Sequence, residues 1–247
     1  QATVAKEILS QLEEVDLVFV PVGGGGLIAG IASYIKHYAP KVKVIGVEPI
    51  DSATLHNALE GNERVILEDV GRFADGVAVK QIGELPFEIA KQCVDDVVLV
   101  SNDEMCAAIK DIYEDVRAVS EPAGALATAG VKKYILEHEL KNKNIVSVVS
   151  GANVNFDRLR YIAERADLGE LTEAIIAVTI PEEPGSFLRF CELLDNHSVT
   201  EFNYRYSPTG DAHIFVGIEI SSGDSEKQEL IEKLRKSFEV LDMSDNS

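Results

Sequence analysis

The 247-residue chain is short of bases: 23 lysines and arginines stand against 42 acids, a net charge of −19. The deficit is spread along the chain, with 16 acidic and 6 basic residues in 170–247 and 26 and 17 before them. Neither part offers a basic face to a phosphate backbone, which argues against nucleic acid as a partner. Long apolar runs are also missing. The longest are strand-sized, far below the roughly 20 residues that a membrane-spanning helix requires. Cysteine is scarce, and Cys93, Cys106 and Cys191 are odd in number, far apart and set in apolar helical patterns. Buried thiols in a reducing cytoplasm are expected rather than disulfides. The five histidines form no H-x-x-x-H pair, so no metal centre is expected. There is no initiating methionine. Gln1 leads straight into Thr3-Val4-Ala5-Lys6-Glu7-Ile8-Leu9, which reads as a helix already under way, so the chain is expected to be a piece of a longer protein, with an upstream targeting segment left open.

Glycine, by contrast, is concentrated in one place. Gly23, Gly24, Gly25 and Gly26 stand between an apolar run, Leu17-Val18-Phe19-Val20-Pro21-Val22, and a helix-like stretch, Leu27 to Ile35. This is the layout of a strand feeding a helix through a turn without side chains. Backbone N–H groups can converge there, with the positive end of a helix dipole behind them, and a phosphate is the expected ligand. A turn that only needs positive φ would be satisfied by one or two glycines; four point to ligand approach. The rival reading is a dinucleotide site. Gly24-Gly25-Gly26-Leu27-Ile28-Ala29 fits G-x-G-x-x-A, and Glu48 ends the next apolar run, where a ribose-binding acid would sit.

Up to residue 169 the pattern alternates between short β-branched runs (16–22, 42–48, 95–100, 144–150) and longer helical ones, which predicts a largely parallel α/β sheet with helices on both faces. Ser101-Asn102-Asp103-Glu104 is a capping box opening a helix with apolar positions Met105, Cys106, Ile109, Ile112, Tyr113 and Val116. Ligands in such a fold sit at the strand C-termini, where the glycines lie. From residue 170 the pattern becomes strand 173–180, helix 184–194, strands 199–206 and 212–220, helix 225–236 and a last run 238–242. This βαββαβ order predicts a ferredoxin-like α+β domain over 170–247, following a domain over 1–169. In its middle strands, Thr200, Phe202 and Tyr204 with Ile214, Val216 and Ile218 are expected to form an apolar face packed on the helices.

Three further segments are ambiguous singly. Ser150, in Val148-Val149-Ser150-Gly151-Ala152-Asn153, could cap a helix starting near Asn155. Gly76, in Phe73-Ala74-Asp75-Gly76-Val77-Ala78-Val79, could only permit a bend. Glu121, in Ser120-Glu121-Pro122-Ala123-Gly124-Ala125, could be a first-turn acid favoured by a helix dipole.

Taken in order with the tetraglycine and Val47-Glu48-Pro49, these segments resemble the C-terminal part of the catalytic domain of fold-type II pyridoxal-phosphate enzymes, the serine/threonine dehydratase group. The likeness continues through Asn155-Phe156, Arg160-Tyr161 and Glu164-Arg165. Ala177 to Phe187 and Ser198 to Tyr206 are similar to the ACT-like regulatory domain of that group. The resemblance implies pyridoxal 5'-phosphate as cofactor, its phosphate on the backbone of Gly23, Gly24, Gly25, Gly26 and Leu27, Gly76 in the wall beside the ring, and the Ser150 hydroxyl facing the pyridine nitrogen. A neutral hydroxyl leaves the ring a weaker electron sink than a carboxylate would, which suits β-elimination better than transamination. The implied reaction is L-threonine to 2-oxobutanoate and ammonia, the step committing carbon to isoleucine, in a homo-oligomer whose ACT-like domain senses isoleucine or valine.

Two departures qualify it. The group's cofactor-anchoring lysine lies in a Ser-Phe-Lys-x-Arg-Gly-Ala segment, and no phenylalanine here precedes a lysine, so no catalytic residue is assigned and the 14 lysines are expected to be surface charges. Some members hold a divalent cation through the equivalents of Glu48, Ser52 and Thr54, a set too poor in carboxylate for a metal to be assigned. The chain alone is therefore expected to be inactive. The alternatives are an amino-acid-binding or assembly module and a Rossmann-type nicotinamide oxidoreductase.

Overall fold

The computed structural model describes residues 1–206 and 210–244, so residues 207–209 and 245–247 of the expected 170–247 domain lie outside the described residues. The chain divides into two compact units, Gln1–Ala166 and Asp167–Ser247.

In the first unit, α1 (Ala2–Gln11) precedes β1 (Leu17–Pro21), followed by α2 (Gly26–Tyr38), β2 (Lys43–Pro49), α3 (Thr54–Gly61), α4 (Glu84–Cys93), β3 (Asp96–Val100), α5 (Asn102–Val116), α6 (Pro122–Glu137), β4 (Ile145–Ser147) and most of α7 (Arg158–Gly169), whose last residues belong to the second unit. The four strands form one parallel sheet in the order β3-β2-β1-β4, in register Val18 with Val44 and Leu17 with Ile145. Because strand side chains alternate between faces, β1 feeds two cores. Leu17 and Phe19 join Val47, Met105, Ile109 and Leu126 on one face, while Val18 and Val20 join Ile28, Ile31, Ile35 and Phe87 on the other. Gly130 lets α6 lie directly on β2, since a Cβ there would come within 2.5 Å of Val47.

The capping box of α5 is formed as the sequence requires: the Glu104 N–H donates to Ser101 Oγ at 3.2 Å and the Ser101 N–H to Glu104 Oε2 at 2.6 Å. Met105, Cys106, Ile109 and Ile112 are buried, but Tyr113 and Val116 at the end of that helix are exposed, Val116 by 67%. The apolar stripe ends one turn before the helix does.

The second unit contains β5 (Glu173–Pro181), α8 (Ser186–Leu194), β6 (Val199–Tyr206), β7 (Asp211–Glu219), α9 (Asp224–Arg235) and β8 (Glu239–Asp242), an antiparallel sheet in the order β6-β7-β5-β8. That is the ferredoxin-like arrangement the strand-helix order predicts. Ile176, Val178, Ile180, Ile214, Val216 and Ile218 pack against Phe190, Leu194, Leu230 and Leu234. The face of β6 departs from expectation. Phe202 and Tyr204 meet the Phe187 ring, with centroids 5.6 and 6.1 Å away, yet Phe202 stays 45% exposed. Among the described residues the edge strand β6 has β7 as its one neighbour, and Phe187 is itself exposed.

Two residue-class expectations also need correction. Cys191 on α8 is exposed, whereas Cys106 is buried and its thiol is pushed up to about 12, by burial first and then by the nearby Asp103 carboxylate. Lys227 on α9 is buried rather than on the surface, its ammonium 3.1 Å from Asp224 and 3.4 Å from Asp242.

Candidate active site

The tetraglycine turn leaves β1 at the C-terminal edge of the parallel sheet and enters α2 at Gly26. Its glycines do different things. Gly25 alone has positive φ (+83°), and a Cβ there would lie 2.8 Å from Ile82 and Pro86. Gly23 is approached by Val77, whose Cα lies 3.0 Å from where a Cβ would sit. Gly24 is exposed, and a Cβ on it would meet nothing within 4 Å. Gly24 therefore faces open space, and neither positive φ nor crowding accounts for a glycine there. Among the described residues, none of the N–H groups of Gly23 to Leu27 donates to a protein acceptor, and α2 has no side-chain cap. Convergent free donors at a helix N-terminus are the chemistry that holds a phosphate.

The other expected segments come to the same edge. Asp75–Val77 forms a single 3-10 turn, the Val77 N–H donating to Ala74 O at 3.0 Å. Gly76, at the centre of this turn, is exposed, and a Cβ on it would press on the Ala123 Cβ at 2.9 Å, so the approach of α6 also calls for a glycine here. Ser150 lies three residues beyond β4 and eight before α7, and its hydroxyl donates to Ala123 O at 3.4 Å. It does not cap a helix. Gly151 accepts from the Glu121 N–H (3.2 Å) and Ser120 Oγ (3.2 Å), and Glu121 is the N-cap residue of α6. A Cβ at Gly151 would meet Glu121 Oε1 at 1.9 Å and one at Gly124 would meet Gly151 O at 2.1 Å, so the two small-residue motifs interlock. Leu27 is half-buried against the α2-side core.

Glu48 does not face this site. It is fully buried, with Oε1 accepting from Thr54 Oγ1 (3.0 Å) and the Leu55 N–H (2.8 Å), and Oε2 from the His56 N–H (2.8 Å). The carboxylate thus caps α3 from β2. Burial raises its pKa, and the backbone donors of Leu55 and His56 pull the other way. Strand order β3-β2-β1-β4 also occurs in dinucleotide folds, so topology does not separate the readings; the engagement of Glu48 does, because this acid is not free to meet a ribose. Nearby, Ser52 Oγ is buried without a partner among the described residues.

Sequence reasoning missed two neighbours. The Gly83 N–H donates to Gly24 O at 3.1 Å, bringing the segment before α4 against the turn, and Arg158 bonds the carbonyl of Phe73. Lys80, three residues before Gly83, has its ammonium bound to Glu68 O at 2.6 Å. Lys36 bonds Val42 O and Asp95, at the opposite edge of the sheet.

The family described as pyridoxal-phosphate dependent enzyme matches residues 1–151, and the C-terminal regulatory domain of threonine dehydratase matches residues 164–247. The chain is 53% identical over its whole length to the biosynthetic L-threonine dehydratase IlvA of Pasteurella multocida, covering 48% of that protein, and 48% identical to the mitochondrial threonine dehydratase of Saccharomyces cerevisiae, covering 46%. It spans about half the length of the curated relatives it matches. Among solved structures, the processed form of threonine deaminase isoform 2 from Solanum lycopersicum aligns with a TM-score of 0.67 and 46% identity over 68% of this chain and 46% of that one. The chain belongs to the family of pyridoxal-phosphate-dependent enzymes and continues into the C-terminal regulatory domain of threonine dehydratases.

Proposed function

We propose that the whole protein is a threonine ammonia-lyase converting L-threonine to 2-oxobutanoate and ammonia, with residues 1–169 forming part of its catalytic domain and 170–247 a regulatory one. The observation that carries this is the open, donor-lined space over Gly24, in a chain whose full length matches threonine dehydratases. The N–H groups of Gly23 to Leu27 hold the cofactor phosphate, Gly76 keeps the wall beside the ring free of side chains, and Ser150 turns its hydroxyl to the pyridine nitrogen. When bound, the cofactor supplies an electron-withdrawing ring for bond breaking at the amino acid Cα. Ser150 is neutral, so it leaves that nitrogen unprotonated and favours elimination over transamination. The anchoring lysine comes from elsewhere in the whole protein, and this chain alone is inactive.

The effector is isoleucine, with valine competing. Gly185 (φ +100°) opens α8 with no side-chain cap among the described residues; the Ser186 N–H already donates to Glu183 O at 3.1 Å, so the N–H groups of Phe187 and Leu188 suit a carboxylate, while Glu182, bonded by the Tyr204 hydroxyl, and Glu183 stand beside that turn for an ammonium. A homo-oligomer in a reducing compartment completes the reading. The test is a 2-oxobutanoate assay on the full-length protein and on this chain, each with pyridoxal phosphate, followed by calorimetry with isoleucine. Turnover by the full-length protein alone, damped by isoleucine, is expected. Turnover by this chain, with one lysine trapped by borohydride, would show the catalytic lysine to lie within it.

A further inference from the structure

The turn carrying Gly76 is held from one side by α7. Arg158, the first residue of that helix, donates from its guanidinium to Phe73 O at 2.9 Å, and the Tyr161 ring lies against the Phe73 ring with centroids 5.5 Å apart. α7 is itself well fixed. Ile162 and Ala166 are buried in the parallel-sheet core, and Arg165 grips Asp103 with two bonds of 2.5 and 2.6 Å. From Phe73 to the candidate site there is no slack: Val77 closes on Ala74 at 3.0 Å, and both Val77 and Gly76 stand where a single added Cβ, on Gly23 or on Gly76, would crowd a neighbour. A cation in the first turn of a helix opposes the helix dipole, so Arg158 gains nothing from its own helix and its favourable contact is the Phe73 carbonyl.

Resting on the cofactor reading above, we propose that Arg158 is a positioning residue for the cofactor site. It touches no ligand. It fixes the Phe73 carbonyl, and through it the height of the Asp75–Val77 turn against the glycine loop and Ala123.

The experiment compares Arg158→Met, Arg158→Lys and Arg160→Met in the full-length protein. Arg160 is a control on the same helix, exposed and paired with Glu164 at 2.7 Å. Amide hydrogen exchange at Val77 and Ala78 is measured without cofactor, and pyridoxal phosphate affinity by equilibrium dialysis. Arg158→Met should raise the exchange and weaken the affinity, each by about tenfold or more, the size of one lost hydrogen bond from a charged donor. Arg158→Lys should recover part of both, and Arg160→Met should change neither. Unchanged exchange in Arg158→Met would overturn the role of Arg158, and if that variant does not fold, wild-type exchange with unimpaired affinity in Arg158→Lys and a lost melting transition would assign Arg158 to stability alone. Raised exchange with unchanged affinity would show that the turn is not a cofactor wall, which overturns the proposal through the reading it rests on.

Discussion

Gly24 and Gly25 are adjacent, yet the structure predicts opposite consequences for replacing them. A valine at Gly24 points its Cβ into space with no atom within 4 Å, and its backbone has ordinary φ. Loss of glycine freedom in the unfolded chain changes stability there by less than about 1 kcal/mol, a Tm shift within about 4 °C. The same side chain fills the volume assigned to the phosphate. Hydrogen bonds to a charged group contribute about 1.5–3 kcal/mol each, so losing two weakens cofactor binding by about 3–6 kcal/mol, or about 10²–10⁴-fold in Kd. An alanine at Gly25 instead forces a side chain into left-handed backbone, costing about 1–2 kcal/mol, and against Ile82 and Pro86 at 2.8 Å. It should lose stability first and affinity only as a consequence. Equilibrium dialysis against pyridoxal phosphate, paired with thermal melting of each full-length variant, separates the two. A folded Gly24→Val protein that retains cofactor like the wild type would refute the assignment of that space to a phosphate.

Ser150→Asp in the full-length protein should lower elimination of threonine and raise the share of turnovers ending in transamination; a wild-type partition after prolonged turnover would leave Ser150 with only its bond to Ala123. Glu48→Ala strands the Thr54 hydroxyl and two amide donors, and denaturant unfolding should show a loss of about 3 kcal/mol or more. Because burial lifts the Glu48 carboxyl above its ordinary 4.5, the folded state takes up the proton first as pH falls. Relative to Glu48→Gln, the wild type should therefore gain stability as pH is lowered through the folded pKa toward 4.5, and parallel pH profiles would contradict a buried charge.

How far the sequence was legible depended on how local each determinant is. The α5 capping box needs four consecutive residues, and both of its bonds are present. The order of strands and helices beyond residue 170 follows from alternation within each strand, and β7 buries Ile214, Val216 and Ile218 as that alternation requires. What alternation cannot show is where a strand lies in its sheet, which is why Phe202 on the edge strand stays exposed. Lys227 on α9 is similar: its burial goes with an ion pair to Asp242, fifteen residues on and in strand β8. At the candidate site, four successive glycines were visible as a unit, but their separate reasons lay in Val77, Ile82 and Pro86, distant in sequence. Glu48 stood where a ribose-binding acid would, and only the fold shows its carboxylate spent on the N-terminus of α3. Arg158 carried no local pattern at all, since its partner is a backbone carbonyl 85 residues away.

The central claim is that the backbone of Gly23 to Leu27 is a phosphate seat, and amide NMR of the isotopically labelled chain tests it residue by residue. Pyridoxal phosphate should shift the N–H resonances of Gly23 to Leu27 more than any others, while pyridoxal, which lacks the phosphate, should leave them in place. Equal shifts with both compounds, or phosphate-dependent shifts centred instead on the cavity beside Tyr34 and Tyr38 near the opposite edge of the sheet, would contradict the account.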